Sequence, residues 1–117
     1  MQLTRRNRIL RQSPAIRSLV AETRLTPDDL IAPLFIIEGE NEQSEIASMP
    51  GYFRRSIDLT IQDVSELWKM GIKSILLFVK SRDELKDNKG TEALNPEGLM
   101  QRSIRAIKSA VPGMVIM

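Results

Sequence analysis

The hydrophobic positions of this chain change period along its length, and the change predicts alternating strands and helices. The apolar run Leu30–Ile37 is typical of a buried strand, although Pro33 within it cannot donate a ladder hydrogen bond. We therefore expect Pro33 at a bulge, at the strand's start or on an unpaired edge. Ile72–Val79 is apolar at nearly every position, as in a parallel strand covered on both faces. A third apolar run, Met114–Met117, reaches the end of the chain.

The segment between the first two runs predicts a helix. Thr60 followed by Asp63 resembles a capping box, so we expect the helix to begin there and to end at Gly71. Four apolar side chains recur at helical spacing: Ile61, Val64, Leu67 and Trp68. Trp68, like the apolar stripe of the last predicted helix, is interpreted as a core contact, not as a contact with a cofactor.

A second helix is predicted between the second and third runs. Asn95-Pro96-Glu97 opens it and Pro112-Gly113 stops it. Arg105 and Lys108 suit the negative end of its dipole. Its apolar stripe consists of Met100, Ile104, Ile107 and Val111.

Turn-forming and polar residues occupy the other segments. Ser13-Pro14 predicts the start of a short helix that runs to about Val20, and Thr26-Pro27-Asp28-Asp29 repeats the signal in a single turn. The remaining segments are the predicted loops Glu38–Ser48 and Ser81–Thr91 and a short extended stretch, Tyr52–Ile57, after the turn at Met49-Pro50-Gly51.

The order strand, helix, strand, helix, strand predicts an α/β fold with parallel strands and right-handed crossovers. About three strands are too few to close a barrel, and a (β/α)8 TIM barrel typically takes about 250 residues. We therefore expect the opening portion of such a barrel, and the end of the chain within a strand favours this interpretation. A small open α/β sheet remains the alternative.

Composition restricts the possible chemistry. The chain has 117 residues, enough for one domain at most, and no cysteine or histidine, which excludes disulfides, thiolate metal sites and imidazole bases within it. It has neither an apolar run of roughly 18 residues nor the apolar core of a signal peptide, so we expect a cytoplasmic protein without a membrane partner.

Charge separates the chain into two predicted parts. Net charge is +2, yet the first 25 residues carry six arginines against the single acid Glu22: Arg5, Arg6, Arg8, Arg11, Arg17 and Arg24. We expect residues 1–25 to form a basic N-terminal arm with a short helix, and 26–117 to form the first βα units. Such an arm can bind nucleic acid or an acidic surface of a neighbouring subunit. Residues 1–25 contain no aromatic residue for base stacking, and Tyr52 is far away, which favours the subunit arm.

Few side chains qualify for catalysis. Lys80 follows the strongest strand, where reactive groups gather in α/β proteins, but a solvated lysine is the commoner case. The acidic loop has no spacing typical of a calcium site, and the aspartates near helix starts are interpreted as caps. These acids are Glu38, Glu40, Glu42 and Glu45 in the loop and Asp28, Asp29, Asp58 and Asp63 near the helix starts.

Several blocks of residues resemble the porphobilinogen synthase (δ-aminolevulinic acid dehydratase) family and follow one another in the same order. Leu94 differs from the family pattern, because many relatives have an aromatic residue at this position. The blocks are Arg11–Arg17, Glu22–Leu25, Leu30–Phe35, Ser48–Gly51, Gly71-Ile72, Gly90–Leu99 and Arg102–Lys108. They cover nearly the whole chain, and their order is more specific than any single motif.

The resemblance implies a (β/α)8 barrel whose arm embraces a neighbouring subunit, commonly in a homo-octamer. It implies condensation of two 5-aminolevulinate molecules to porphobilinogen through lysine Schiff bases, often with zinc or magnesium. Those lysines and the metal segment would lie beyond Met117, so no catalytic, cofactor-binding or metal residue is expected here, and Lys80 is not one of the reactive lysines. The segment alone should be inactive and should supply scaffold and subunit contact. The alternative is a small stand-alone module whose basic arm binds an acidic partner or nucleic acid.

Overall fold

A computed structural model describes residues 8–117, so Arg5 and Arg6 of the predicted arm lie outside the described residues. In this described part, three α-helices and five strands form the architecture. The helices are α1 (Pro14–Leu19), α2 (Ile57–Lys69) and α3 (Leu99–Ala110), and the strands are β1 (Ile31–Ile36), β2 (Gln43–Glu45), β3 (Phe53–Arg55), β4 (Ser74–Val79) and β5 (Val115–Ile116).

The strands form one sheet in the order β2-β3-β1-β4-β5. β1 and β4 run parallel over their full length, from the pair Ile31 and Ser74 to the pair Ile36 and Val79, and β5 lies parallel to β4. α2 connects β3 to β4 and α3 connects β4 to β5, so helices link the parallel strands as in βαβ units. The predicted alternation of parallel strands and helices is confirmed.

Pro33 occupies a position that its missing N–H permits. β3 pairs with β1 only at Phe35 and Ile36, so at Pro33 the strand has a ladder partner on the β4 side alone. Of the three expected placements, the unpaired edge is the one observed, on the side of β1 that faces β3.

The prediction that Glu38–Ser48 is entirely loop is wrong. Within it, Gln43–Glu45 forms β2, which pairs antiparallel with β3. All three residues of β2 are exposed, so backbone hydrogen bonds stabilise the pairing and no apolar alternation marks it in the sequence.

One face of the sheet carries the hydrophobic core. Ile36, Ile75 and Leu77 point from the strands toward Val64 of α2 and Ile107 of α3, and all five are buried. Side chains alternate along a strand, so the intervening residues point to the opposite face. There Ile31, Phe78 and Val115 are 50%, 45% and 52% exposed, because no element among residues 8–117 covers them.

The predicted start of α2 at Thr60 is wrong, because the helix begins at Ile57 after the N-cap residue Ser56. Thr60 lies within the first turns and donates its hydroxyl proton to the Ser56 carbonyl at 2.9 Å. Asp63 pairs with Arg55 of β3 and closes no capping box. An intrahelical hydroxyl bond thus accounts for the polar residue that resembled a cap.

α3 also begins later than predicted, at Leu99. Asn95 instead closes a turn, with its side-chain oxygen accepting from the Glu97 N–H at 3.0 Å. Lys108 donates to the Pro112 carbonyl at 2.8 Å, which confirms its place at the negative end. The same expectation for Arg105 is wrong, since its guanidinium reaches back to the Pro96 carbonyl at 2.7 Å.

Two predicted core residues lie near the surface. Ile104 is 36% exposed, while Ile107 in the same stripe is fully buried. Trp68 is 38% exposed, and its ring lies over Gly113 at the turn after α3.

The described part of the arm contains the predicted short helix. The Ser13 hydroxyl accepts from the Ile16 N–H at 3.2 Å, and Pro14 occupies the first helical position, which confirms the predicted start of α1. Among residues 8–117 there is no helix with the length and apolarity that crossing a membrane requires. The cytoplasmic location stays a prediction.

Candidate functional site

A cavity of about 490 Å3 opens at the carboxyl ends of β1 and β4. Its lining includes Phe35 of β1, Phe78 of β4 and Arg54 of β3, together with Lys80 and Lys86 from the segment after β4. Ligand sites of parallel α/β proteins form at this edge of the sheet, because the loops that follow the strands gather there. The cavity is therefore the best candidate for a functional site in this part of the chain.

A cross-strand row forms the floor of the cavity. Phe35 lies opposite Arg54 on one side and opposite Phe78 on the other, so all three side chains point to the same face of the sheet. The two phenyl rings stack with centroids 5.2 Å apart and an interplanar angle of 18°. The row thus places a cation beside a flat apolar wall.

Lys80, the candidate nucleophile, lies at the rim of the cavity and is exposed. Its backbone N–H donates to the Ile36 carbonyl at 2.9 Å, which extends the β1–β4 pairing by one residue. A Schiff-base lysine is usually activated by removal from water, and an exposed amine lacks that environment. The position suits a solvated lysine that opens a charged loop.

An ion pair and two hydrogen bonds from the backbone order the loop that follows β4. The Lys86 ammonium pairs with Asp83, with Nζ 2.6 Å from Oδ1. This hydrogen bond, followed by the charge of Lys86 and then that of Lys80, lowers the pKa of Asp83. Asp87 accepts from the backbone N–H groups of Lys89 and Thr91, both at 3.0 Å.

Arg102 of α3 joins two loops at the same rim. Its guanidinium pairs with Glu38, which follows β1, and its Nε donates to the Glu97 carbonyl at 3.0 Å. Both side chains of the ion pair are about one-third exposed, so water screens the pair only in part. The contact fixes the loop after β1 against the start of α3, across 64 residues of sequence.

The predicted aspartates act as local structural partners. Asp28 pairs with Lys73 at 2.8 Å, and the Asp29 carboxylate accepts from the Thr26 N–H at 2.7 Å. Asp58 accepts from the Asn41 N–H at 3.0 Å, and its pKa is lowered, mainly by a hydrogen bond from the Ser56 side chain. Asp29 caps its own turn as predicted, whereas Asp28 and Asp58 bind residues that lie 45 and 17 positions away in the sequence.

The glutamates of the acidic loop have structural contacts of their own. Glu38 pairs with Arg102, and Glu45 accepts from the Gly51 N–H at 3.1 Å. Among residues 8–117, no three Asp or Glu side chains converge with the geometry that could hold a metal ion. The residues described do not fit the zinc or magnesium that the resemblance implies.

The three members of the row, Arg54, Phe35 and Phe78, were not among the residues singled out from the sequence. Strand parity could have placed Phe35 and Phe78 on the face opposite Ile36 and Leu77. Arg54 could not have been found in this way, because its position depends on how a three-residue strand pairs with β1.

Comparisons with known proteins agree with one another. The family model for delta-aminolevulinic acid dehydratase matches residues 4–117. The dehydratase of Chlamydia pneumoniae is 44% identical over 112 residues, which cover 96% of this chain and 34% of that protein. The dehydratase of Bacillus subtilis strain 168 is 42% identical, with coverage of 95% and 34%. The chain thus spans about a third of the length of these relatives.

A solved structure extends the likeness to the fold. It is the delta-aminolevulinic acid dehydratase (porphobilinogen synthase) of Toxoplasma gondii ME49 in complex with the reaction product porphobilinogen. The match has a TM-score of 0.90 and 39% identity, and it covers 97% of this chain and 32% of that one. The predicted fold class, the opening portion of a (β/α)8 barrel preceded by an arm, is confirmed, and the chain belongs to the delta-aminolevulinic acid dehydratase family.

Proposed function

We propose that the whole protein is a porphobilinogen synthase, which condenses two molecules of 5-aminolevulinate to porphobilinogen with loss of water, on the route to haem and other tetrapyrroles. The observation that carries this proposal is the superposition of nearly the entire chain on a product-bound member of the family. The cavity at the carboxyl ends of β1 and β4 lies at the edge where (β/α)8 barrels bind their ligands.

The described segment supplies part of the scaffold for this reaction. In our proposal residues 1–25 form the arm and 26–117 the first βα units, and the lysines that form Schiff bases lie beyond Met117. Zinc or magnesium, where the enzyme uses one, supplies Lewis-acid chemistry from ligands that also lie beyond this segment. The 117-residue chain alone therefore catalyses no condensation.

A direct assay tests the proposal. The full-length protein that contains this segment should form porphobilinogen from 5-aminolevulinate, and the purified 117-residue chain should form none. Absence of product with the metal-supplemented full-length protein would contradict the proposed activity. Product formed by the short chain would contradict the assignment of the catalytic lysines to the rest of the protein.

The arm supports an assembly role. Among its described residues, Ile9, Leu10 and Leu19 are 66%, 58% and 82% exposed, and the first two lie between Arg8 and Arg11. Exposed apolar side chains of this size favour contact with a protein surface. Binding of a nucleic acid would instead need aromatic side chains for base stacking in addition to the cations. We assign the arm to contact with a neighbouring copy of the protein in a homo-octamer.

Deletion of the first twelve residues from the full-length protein tests the arm. We expect light scattering to report an assembly smaller than that of the undeleted protein. An unchanged mass would contradict the assembly role. A mobility shift of DNA or RNA that is lost on deletion would support the alternative of a basic arm that binds nucleic acid.

A further inference from the structure

One arginine joins the loop that follows β1 to helix α3. Arg102, in the first turn of α3, pairs through its guanidinium with the carboxylate of Glu38, just beyond the end of β1. Among the side-chain hydrogen bonds of residues 8–117, this one alone links that loop, residues 37–42, to α3. The Glu38–Arg102 pair is therefore a tertiary contact between two successive βα units.

The same arginine also holds the segment that precedes α3. Side chains of the first two turns reach back to backbone carbonyls of residues 93–97: Gln101 to Ala93 at 2.8 Å, Arg102 Nε to Glu97 at 3.0 Å and Arg105 to Pro96 at 2.7 Å. A guanidinium can bind two partners at once, because it carries five donors in a rigid plane. Arg102 uses this property to tie residues 93–97 to the loop after β1.

The far end of the loop after β1 is fixed separately. The Asn41 N–H donates to the Asp58 carboxylate at 3.0 Å, and the Glu42 N–H donates to the Ser56 hydroxyl oxygen at 3.1 Å. Among the described residues, no hydrogen bond other than that of Glu38 holds residues 38–40. Loss of the Glu38–Arg102 pair would therefore free the near end of the loop and leave the far end in place.

Both segments that Arg102 joins border the end of β4. Glu38 lines a cavity of about 350 Å3 together with Lys80, and Ala93 lines one of about 250 Å3 together with Val79. In (β/α)8 barrels the loops at this end of the strands shape the ligand site. Neither Glu38 nor Arg102 lines the larger cavity of about 490 Å3, so the pair acts on the shape of the mouth without contact to its floor.

We propose that Arg102 and Glu38 are positioning residues, whose ion pair holds the loop after β1 in the arrangement that substrate binding requires. This inference rests on the proposed function, because it takes the substrate to be 5-aminolevulinate. When only a fraction of the molecules has the loop in place, apparent affinity falls by that fraction, while the bound complex is unchanged. Loss of the pair should therefore raise KM and leave kcat as it is.

The test uses the full-length enzyme with Arg102→Gln and Glu38→Gln. Each variant should raise KM for 5-aminolevulinate about 3- to 10-fold at unchanged kcat, as expected for loss of one partly exposed ion pair. The double variant should raise KM no further than the larger single effect, because both substitutions remove the same contact. An unchanged KM, or effects of the two substitutions that multiply, overturns the inference.

Arg105→Gln is the matched control at the same end of α3. Arg105 pairs with Glu97 at 3.0 Å and binds the Pro96 carbonyl, but it makes no hydrogen bond to the loop after β1. This variant should keep the wild-type KM. A rise equal to that of Arg102→Gln would overturn the inference, since any disturbance of the segment before α3 would then suffice.

Hydrogen exchange followed by mass spectrometry reads the loop directly. In Arg102→Gln the amides of residues 38–42 should exchange several-fold faster than in the wild type, while those of β4 keep their rates. If Arg102→Gln does not fold, as judged by its thermal transition, Glu38→Gln decides, because its amide keeps the shape of the carboxyl group. Unchanged exchange, or faster exchange with an unchanged KM, overturns the positioning role.

The two proposals fail in different ways. A wild-type enzyme that forms porphobilinogen while the variants retain its KM and its exchange rates overturns only the role of the Glu38–Arg102 pair. A wild-type protein that forms no porphobilinogen overturns the activity. In that case the exchange experiment still decides whether the pair holds the loop: faster exchange in the variants supports it, and equal exchange overturns it.

Discussion

The indole ring of Trp68 lies so close to Gly113 that a Cβ atom at position 113 would sit 2.6 Å from Trp68 Cη2 and 3.0 Å from Cζ2. Gly113 belongs to the turn between α3 and β5, and Trp68 belongs to the last turns of α2. The contact therefore joins two consecutive βα units through a position where only glycine leaves room for the ring. Gly113 has a role in packing in addition to its predicted role in stopping the helix.

Gly113→Ala should destabilise the protein by about 1–3 kcal/mol, because the added methyl group forces the indole out of its place. Urea unfolding of the full-length protein would measure the change. In a Trp68→Leu background the same substitution should have a much smaller effect, since the shorter side chain lacks the clashing atoms. Equal losses in both backgrounds would contradict the steric explanation and would point to the backbone.

The two isoleucines of α3 provide a matched pair for the core. Ile107→Ala should reduce the free energy of unfolding by about 2–5 kcal/mol, because Ile107 is fully buried and its removal leaves a cavity. Ile104→Ala should have a clearly smaller effect, since Ile104 is 36% exposed at the same helix. Thermal or urea unfolding compares them, and similar losses would mean that a neighbouring element covers Ile104 in the assembled protein.

Asp63 should make stability depend on pH. Burial raises its pKa above the usual 3.8, and the charge and hydrogen bond of Arg55 oppose that rise only in part. Because the folded protein binds this proton more readily than the unfolded chain, the contribution of Asp63 to stability is fully present below pH 3.8 and is lost as pH rises through the folded pKa. Asp63→Asn should lack this component, so its stability relative to wild type should improve from acidic to neutral pH. A constant difference between the two proteins would contradict the prediction.

Two threonines should control two separate carboxylates. The Thr26 N–H and hydroxyl group lower the pKa of Asp29, and Thr91 similarly lowers the pKa of Asp87. Thr26→Val removes the hydroxyl donor, so it should move the Asp29 pKa partway back toward 3.8 and leave Asp87 unchanged. Thr91→Val should do the reverse, as followed by carboxyl NMR titration. Each carboxylate stabilises the fold above 3.8, and its contribution is lost as pH falls through the lowered pKa.

The hydrophobic pattern was sufficient to predict β1, β4 and the two crossover helices, because long elements repeat their contacts with the core. It also marked the two-residue β5 through the apolar run Met114–Met117. It failed at the first residues of α2 and α3. There Thr60 bonds within the helix and Asn95 closes a turn before the helix, so neither residue is the N-cap. β2 could not be predicted, since its three residues are exposed and only backbone bonds hold it.

In the candidate site, too, residues on strongly marked strands could be predicted, whereas a residue placed by long-range strand pairing could not. Lys80 could be placed at the end of a strand from sequence, because the strand itself is strongly marked. Arg54 could not, because nothing local indicates that β3 pairs with the last two residues of β1. A short strand therefore brings a cation to the cavity through register alone.

The partial pairing of β1 also has a consequence for handling the protein. From Ile31 to Leu34 one side of β1 lacks a neighbouring strand among residues 8–117, and β5 presents a second open edge next to the exposed face that contains Phe78. Open edges beside apolar surface are templates for intermolecular strand addition. The isolated 117-residue chain should therefore self-associate at concentrations where the full-length enzyme remains clear, and sedimentation velocity over a dilution series would reveal it.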